Sequence, residues 1–393
     1  MKSVPASEHP PIAAVVRARR PDVDGLRVLA IAVVFLVHCA QIFSPWQDWH
    51  VQNAERSVWL GELTLFAWPW VMPIFMLLGG AGAWFSLGKR TDMEYLRERS
   101  LRLVLPGVVG TFLLIPPQIW IERLAQGRFS GSFFSFLPHF VDGFYPEGNL
   151  SSGHLWFLAY LYLYAVLTLP LLRWLRTPSS RLWLDRLGRT LSTRWRFILL
   201  PAALIAVTQI ALRSPFPQTL ALVNDWANHA LLVLAYLYGF ILMAHEGLEE
   251  KLHNVWVSAL PFALLGSLWI FGEAWTLVEP PFLPQGYTAR YVLFWGAYSL
   301  AAWSWIVVLL GAARRFVRTR NPLLTWAAEG VFLFYVIHQT VIVLVAYPVV
   351  RGDGGLPWKF SAIATGSLIV TLVLVEGTKR WTPTRVLFGL RPH

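Results

Sequence analysis

The sequence predicts an all-α integral membrane protein, a polytopic bundle of about ten transmembrane helices with both termini in the cytoplasm. Three observations predict it. Of 393 residues, 56% are hydrophobic and only 14% are charged, whereas soluble domains carry about a quarter charged residues. The apolar residues gather into runs near 27–44, 63–87, 102–120, 154–172, 197–212, 227–245, 255–275, 291–312, 330–349 and 360–378. Most approach the ~20 residues needed to cross a hydrocarbon core about 30 Å thick; the run at 197–212 is the shortest. Finally, the 33 Lys and Arg residues divide unequally between the connecting segments. With the N-terminus inside, only Arg56, Arg123, Arg128, Arg213, Arg290, Arg351 and Lys359 fall on the outer face, and the other 26 are cytoplasmic. This is the positive-inside pattern, and adding or removing one central span would scramble it.

Residues 1–21 read as a flexible basic cytoplasmic tail, with Pro5, Pro10 and Pro11 ahead of Arg17, Arg19 and Arg20. They have neither the short apolar core nor the small-residue cleavage site of a secretory signal. Residues 22–380 then form one transmembrane domain, and 381–393 a short cytoplasmic tail. The longest connection, about Ile121 to Gly153, lies on the outer face, and loops of that length are often functional. The single cysteine, Cys39, excludes an intrachain disulfide and a cysteine-based metal site. No histidine pair has metal-site spacing, so no metal is expected. The net charge of +11 is explained by the cytoplasmic loops, and nucleic acid is not an expected partner. The expected partner is the lipid bilayer; the sequence leaves the oligomeric state open.

The residues able to carry chemistry sit on a few spans. Arg27 and His38 in the first span are separated by ten residues. At 100° per residue their offset is within ~20° of three full turns, so they share a helix face with an axial separation of ~16 Å. Arg27 lies at the cytoplasmic mouth and His38 deep toward the outer side. Ionisable groups within spans are expensive and usually functional. The second span ends with Gly79, Gly80 and Gly82, which admit either another backbone or a thin ligand. Arg99 and Arg102 in the next link share a helix face and suit phosphate, which arginine grips with a planar fork. His154 and Trp156 open the fourth span near the outer interface. His338 in the ninth span, ~12 Å from its expected cytoplasmic start, is a second intramembrane histidine, followed by Gln339. Trp46 and Trp49, with His50, follow the first span on the outer face. They suit either sugar stacking or interfacial anchoring.

Taken in order, these pieces resemble the acyltransferase family 3 membrane proteins. The resemblance is carried by Asp24-Gly25-Leu26-Arg27 with His38 after ten intervening residues, and by the arginine-rich stretch through Arg99 and Arg102 to Pro106. Gly153-His154-Leu155-Trp156-Phe157-Leu158 and Tyr335-Val336-Ile337-His338-Gln339 complete it. The last two segments are similar to the subgroup of the protein C that modifies bacterial periplasmic glucans. The second span departs from the pattern: Leu78-Gly79-Gly80 stands where many relatives end in a Ser-Gly-Phe type sequence.

The resemblance implies an O-acyltransferase of the bacterial inner membrane. It would move an acetyl or succinyl group from cytoplasmic acyl-CoA to a hydroxyl of a periplasmic or cell-surface carbohydrate. Arg27, Arg99 and Arg102 would hold the donor's phosphates, Gly79 and Gly80 would pass its pantetheine arm, and His38 would act as general base. His338, Gln339 or a backbone amide near Gly79 would serve a transient oxyanion. A covalent acyl-histidine is the other route. Trp46, Trp49, His154 and Trp156 are the expected acceptor contacts. A glycan or lipid-linked-substrate transporter fits the same spans and intramembrane histidines, and a non-catalytic scaffold is the third reading.

Overall fold

A computed structural model describes residues 20–275, 283–284, 286–319 and 321–390. The tail expected at residues 1–21 lies outside the described residues up to 19, as do Arg320 and Arg391. Among the described residues, nine helices are long and apolar enough to cross a membrane. They are Pro21–Gln41, Val58–Leu87, Asp92–Ala125, Arg194–Leu212, Trp226–Ala244, Asn254–Trp275, Ala289–Phe316, Pro322–Arg351 and Leu356–Arg380. The fourth expected span is a shorter apolar helix, Gly153–Leu167, resumed as Leu169–Trp174. Pro170 has no N–H to give the Val166 carbonyl, so the helix breaks at Thr168. The Thr168 hydroxyl turns back onto the Tyr164 carbonyl at 2.6 Å.

Hydropathy locates the apolar centres of these helices, while capping locates their ends. Thr91 and Glu94 form a capping box that starts a helix at Asp92, ahead of the apolar run. Asn321 Oδ1 accepts from the Leu324 amide at 2.7 Å, and Pro322 occupies the first turn. The ninth expected span therefore begins at Pro322 rather than Gly330. His338 lies near mid-helix, about 24 Å from the helix start instead of ~12 Å.

Two local features position the site. Pro106 cannot donate to the Arg102 carbonyl, and the helix runs through a π-helical segment, Ser100–Val104, in which the Leu105 amide reaches back to Ser100 O. Such segments recur at functional sites because they re-aim side chains. The second feature is a backbone contact. A Cβ on Gly80 would fall 1.8 Å from Tyr236 O, and one on Gly239 1.9 Å from Leu77 O. The Val71–Leu87 and Trp226–Ala244 helices thus touch main chain to main chain, as small residues allow inside membranes. The Pro21–Gln41 helix packs between Val71–Leu87 and Pro322–Arg351.

The long connection is ordered by one arginine. The helix continues through Ala125, so Arg123 sits on it, buried. Its guanidinium donates to Asn149 Oδ1 (2.9 Å), Pro146 O (3.0 Å), Gly148 O (2.6 Å) and Glu122 Oε1 (3.1 Å). Arg123 holds the 146–149 turn in place through these donations, and they saturate much of its hydrogen-bonding capacity.

Candidate functional site

Two cavities meet inside the bundle. The first, about 600 Å³, opens at the end carrying Arg27, Arg99 and Arg102, all three of which line it. Gly79, Gly82, Phe75, Phe157, Leu158 and Leu161 form its inner walls. The second, about 550 Å³, lies toward the opposite end and is lined by His38, Gln41, Trp46, Trp68, His154, Trp156 and Gln218 among others. Val34, Met72 and Tyr335 line both. The pair therefore crosses the bundle from three arginines to a histidine, with a narrowing that the flexible Met72 side chain can adjust.

The arginines are partly compensated, Arg27 by the nearby Asp24 carboxylate. Arg102 shares Glu98 at 3.4 Å. Arg99 Nε is buried without a hydrogen-bond partner among the described residues, and the guanidinium stands 5.0 Å from the Tyr95 ring centroid. This concentration of positive charge at a cavity mouth attracts an anionic ligand. Phosphates are the natural fit for three converging guanidinium groups. One side of the mouth is closed by the C-terminal segment, whose Gly389 and Leu390 also line the cavity. There the Thr382–Leu387 helix ends in a Schellman motif: Leu390 N donates to Arg385 O at 2.8 Å, Gly389 N donates to Val386 O at 3.0 Å, and Gly389 has φ +71°.

At the other end His38 Nδ1 and His338 Nε2 are 3.0 Å apart. The geometry assigns their protons. His338 Nδ1 faces two carbonyl oxygens, Tyr335 O at 2.7 Å and Phe334 O at 3.0 Å. Carbonyls only accept, so this nitrogen carries the hydrogen and Nε2 of the neutral ring is an acceptor. His38 Nδ1–H must then donate to it. That leaves His38 Nε2 as a lone pair on a ring that lines the outer cavity. The two rings lie 5.1 Å apart, almost parallel at 6°. His338 is fully buried, and Trp49 stacks on His38 at 5.9 Å.

A second polar network is built on the neighbouring Gln339. His50 Nδ1 binds the buried Glu122 carboxylate. Gln339 Nε2 donates to His50 Nε2 at 3.1 Å and to Gln118 Oε1 at 3.0 Å, and Gln118 donates to Thr340 at 2.7 Å. Gln339 and His338 are thus both engaged, the one in this network and the other with His38, and neither offers a free donor to an oxyanion. Tyr335 OH donates to His154 O at 2.6 Å.

The sequence-predicted residues distribute as follows. Arg27, Arg99, Arg102 and Gly79 line the first cavity, and His38, Trp46, His154 and Trp156 the second. Gly80 lines neither and is spent on the contact with Tyr236. Trp49 braces His38 rather than lining a cavity. His338 stands behind His38, away from both. Reading the sequence missed Gln41, which follows His38 by three residues and so shares its face. It also missed the His50–Glu122 pair, whose members lie 72 positions apart. Among the described residues no three His, Cys, Asp or Glu side chains are grouped to hold a metal.

A family model described as an acyltransferase domain matches residues 20–376. No curated protein and no solved structure matches the chain.

Proposed function

This chain belongs to acyltransferase family 3, and from that premise we propose that it carries an acyl group from cytoplasmic acyl-CoA to a carbohydrate hydroxyl on the outer side. The observation that carries the reading is the pair of cavities meeting at Val34, Met72 and Tyr335. The donor's phosphates sit among Arg27, Arg99 and Arg102. Its pantetheine arm passes Gly79 and Gly82, and its thioester arrives where the cavities join, within the reach set by the ~16 Å rise from Arg27 to His38. The positive-inside pattern puts the arginine end in the cytoplasm. The acceptor side is then the periplasm of a bacterial inner membrane, with a glucan as the acceptor that the resemblance suggests.

The acceptor hydroxyl donates to His38 Nε2, and its oxygen attacks the thioester carbonyl as the proton moves to the imidazole. Collapse of the tetrahedral adduct breaks the carbon–sulfur bond. The proton returns from His38 to sulfur, and CoA leaves as the thiol. Throughout, His338 Nε2 accepts the His38 Nδ1 hydrogen. It holds the reacting tautomer and supports the imidazolium without itself touching substrate.

The test is kinetic. Arg27→Gln and Arg99→Gln each remove a charge-assisted bond to phosphate, and each should raise the donor KM about tenfold or more. The acceptor KM should stay unchanged. A donor KM unaffected in both variants would remove acyl-CoA from this cavity.

A further inference from the structure

The two cavities differ in charge. The arginine end of the first carries three cations. Among the described residues lining the second there is no Lys, Arg, Asp or Glu. Arg213 is close in sequence to the lining residues Gln218 and Leu220 but is not among them. It is buried, donates to Gln209 Oε1 at 2.6 Å, stands 4.7 Å from the Trp295 ring centroid, and keeps Nε and Nη1 without a hydrogen bond among the described residues. An anion brought into the outer chamber would meet no cationic lining residue among the described residues, which is unfavourable.

The same chamber holds two acceptors that the protein leaves unused. Gln41 Oε1 is buried and takes no hydrogen bond among the described residues. His154 is 6% exposed. Its Nε2–H donates to Val336 O at 3.0 Å, so its Nδ1 is a lone pair, and that atom too is buried without a hydrogen-bond partner among the described residues. Buried polar atoms are normally satisfied, so each orphan calls for a ligand group. Hydroxyl hydrogens supply what both atoms lack, and a carboxylate supplies nothing to either. Trp46, Trp68 and Trp156 add flat faces for the C–H surfaces of a sugar ring.

We propose that the outer chamber is a site for an uncharged polyhydroxyl acceptor, oriented by hydroxyl hydrogen bonds to Gln41 Oε1 and His154 Nδ1, and that the acyl group transferred into it is itself uncharged. This rests on the acyl-transfer reading above and narrows it: acetyl is accepted and succinyl is not. The reaction joins a sugar oxygen to the acyl carbon and releases CoA thiol, and no charged acyl terminus enters the chamber.

The experiment gives the purified full-length protein either acetyl-CoA or succinyl-CoA, with either a neutral soluble β-glucan or an oligogalacturonate as acceptor. Acetyl transfer to the β-glucan should exceed both succinyl transfer and transfer to the uronate by on the order of tenfold or more in kcat/KM. Gln41→Leu should raise the β-glucan KM about tenfold and leave the acetyl-CoA KM unchanged, the mark of a residue that orients the acceptor. Gln218→Lys places a cation at an exposed wall position and should raise the succinyl-to-acetyl ratio. Succinyl transfer as fast as acetyl, or a Gln41→Leu variant with wild-type acceptor KM, overturns the inference while leaving the acyltransferase reading intact. Absence of transfer from both donors to both acceptors fails the acyltransferase reading instead.

Discussion

Replacing His38 with alanine is expected to lower acyl transfer by about 10³-fold or more, roughly 4 kcal/mol of transition-state stabilisation. Protein abundance and thermal stability should stay near wild type. The substitution removes the only lone pair that the His38–His338 arrangement presents to the outer cavity. It leaves His338 anchored to Phe334 O and Tyr335 O. His338→Gln should cost less, about tenfold, because a side-chain oxygen can still accept from His38 Nδ1. The two losses should not add, since both act through one imidazole. Rates measured with saturating donor and acceptor decide it. Wild-type transfer by the His38→Ala protein would discard the general-base assignment.

The second large effect is on folding. Gly80→Ala should reduce the yield of folded protein severely, by about 3 kcal/mol or more of stability. The added methyl would fall 1.8 Å from the Tyr236 carbonyl oxygen, and a backbone atom cannot rotate away. Gly79→Ala crowds Leu161 Cδ1, at 2.7 Å, the end of a flexible side chain that yields at small cost, and meets the Tyr236 ring at an ordinary 3.7 Å. Its expected signature is narrowing of the first cavity, a higher donor KM with stability preserved. Thermal unfolding in detergent separates the two. Equal melting temperatures for wild type and Gly80→Ala would deny the close contact between the Val71–Leu87 and Trp226–Ala244 helices.

The contrast between these adjacent glycines marks how far the sequence is legible. Three glycines within four residues announce a close approach: Gly80 meets a backbone, while Gly79 and Gly82 line a cavity. Which glycine serves which use depends on the rotation of the helix against Trp226–Ala244, and no local pattern encodes that angle. The helical class was legible because a bilayer demands long apolar runs, and the spacing of Arg27 and His38 was legible because both ride one regular helix. His338 was visible as a polar residue in an apolar run, yet its partner was not. Its bond to His38 joins residues 300 positions apart. The early starts at Asp92 and Pro322 were written in Thr91-x-x-Glu94 and Asn321-Pro322, and hydropathy alone passes over such signals. Gln41 was within reach of the same face argument that found His38. The role of the C-terminal Leu390 at the cavity mouth depends on a chain reversal after Trp381 that no periodicity reveals.

In the proposed reaction the acyl group crosses the bundle from the arginine cavity to His38, with donor and acceptor on opposite faces. Purified protein reconstituted in one orientation into sealed vesicles tests it directly, with labelled acetyl-CoA on the face bearing the arginines and soluble β-glucan on the other. Label should appear on the glucan and CoA thiol on the donor's side, and both should be lost in His38→Ala. Label appearing only when donor and acceptor share one face would contradict it. So would histidine-dependent passage of unmodified glycan without any transfer, which is the behaviour of a transporter.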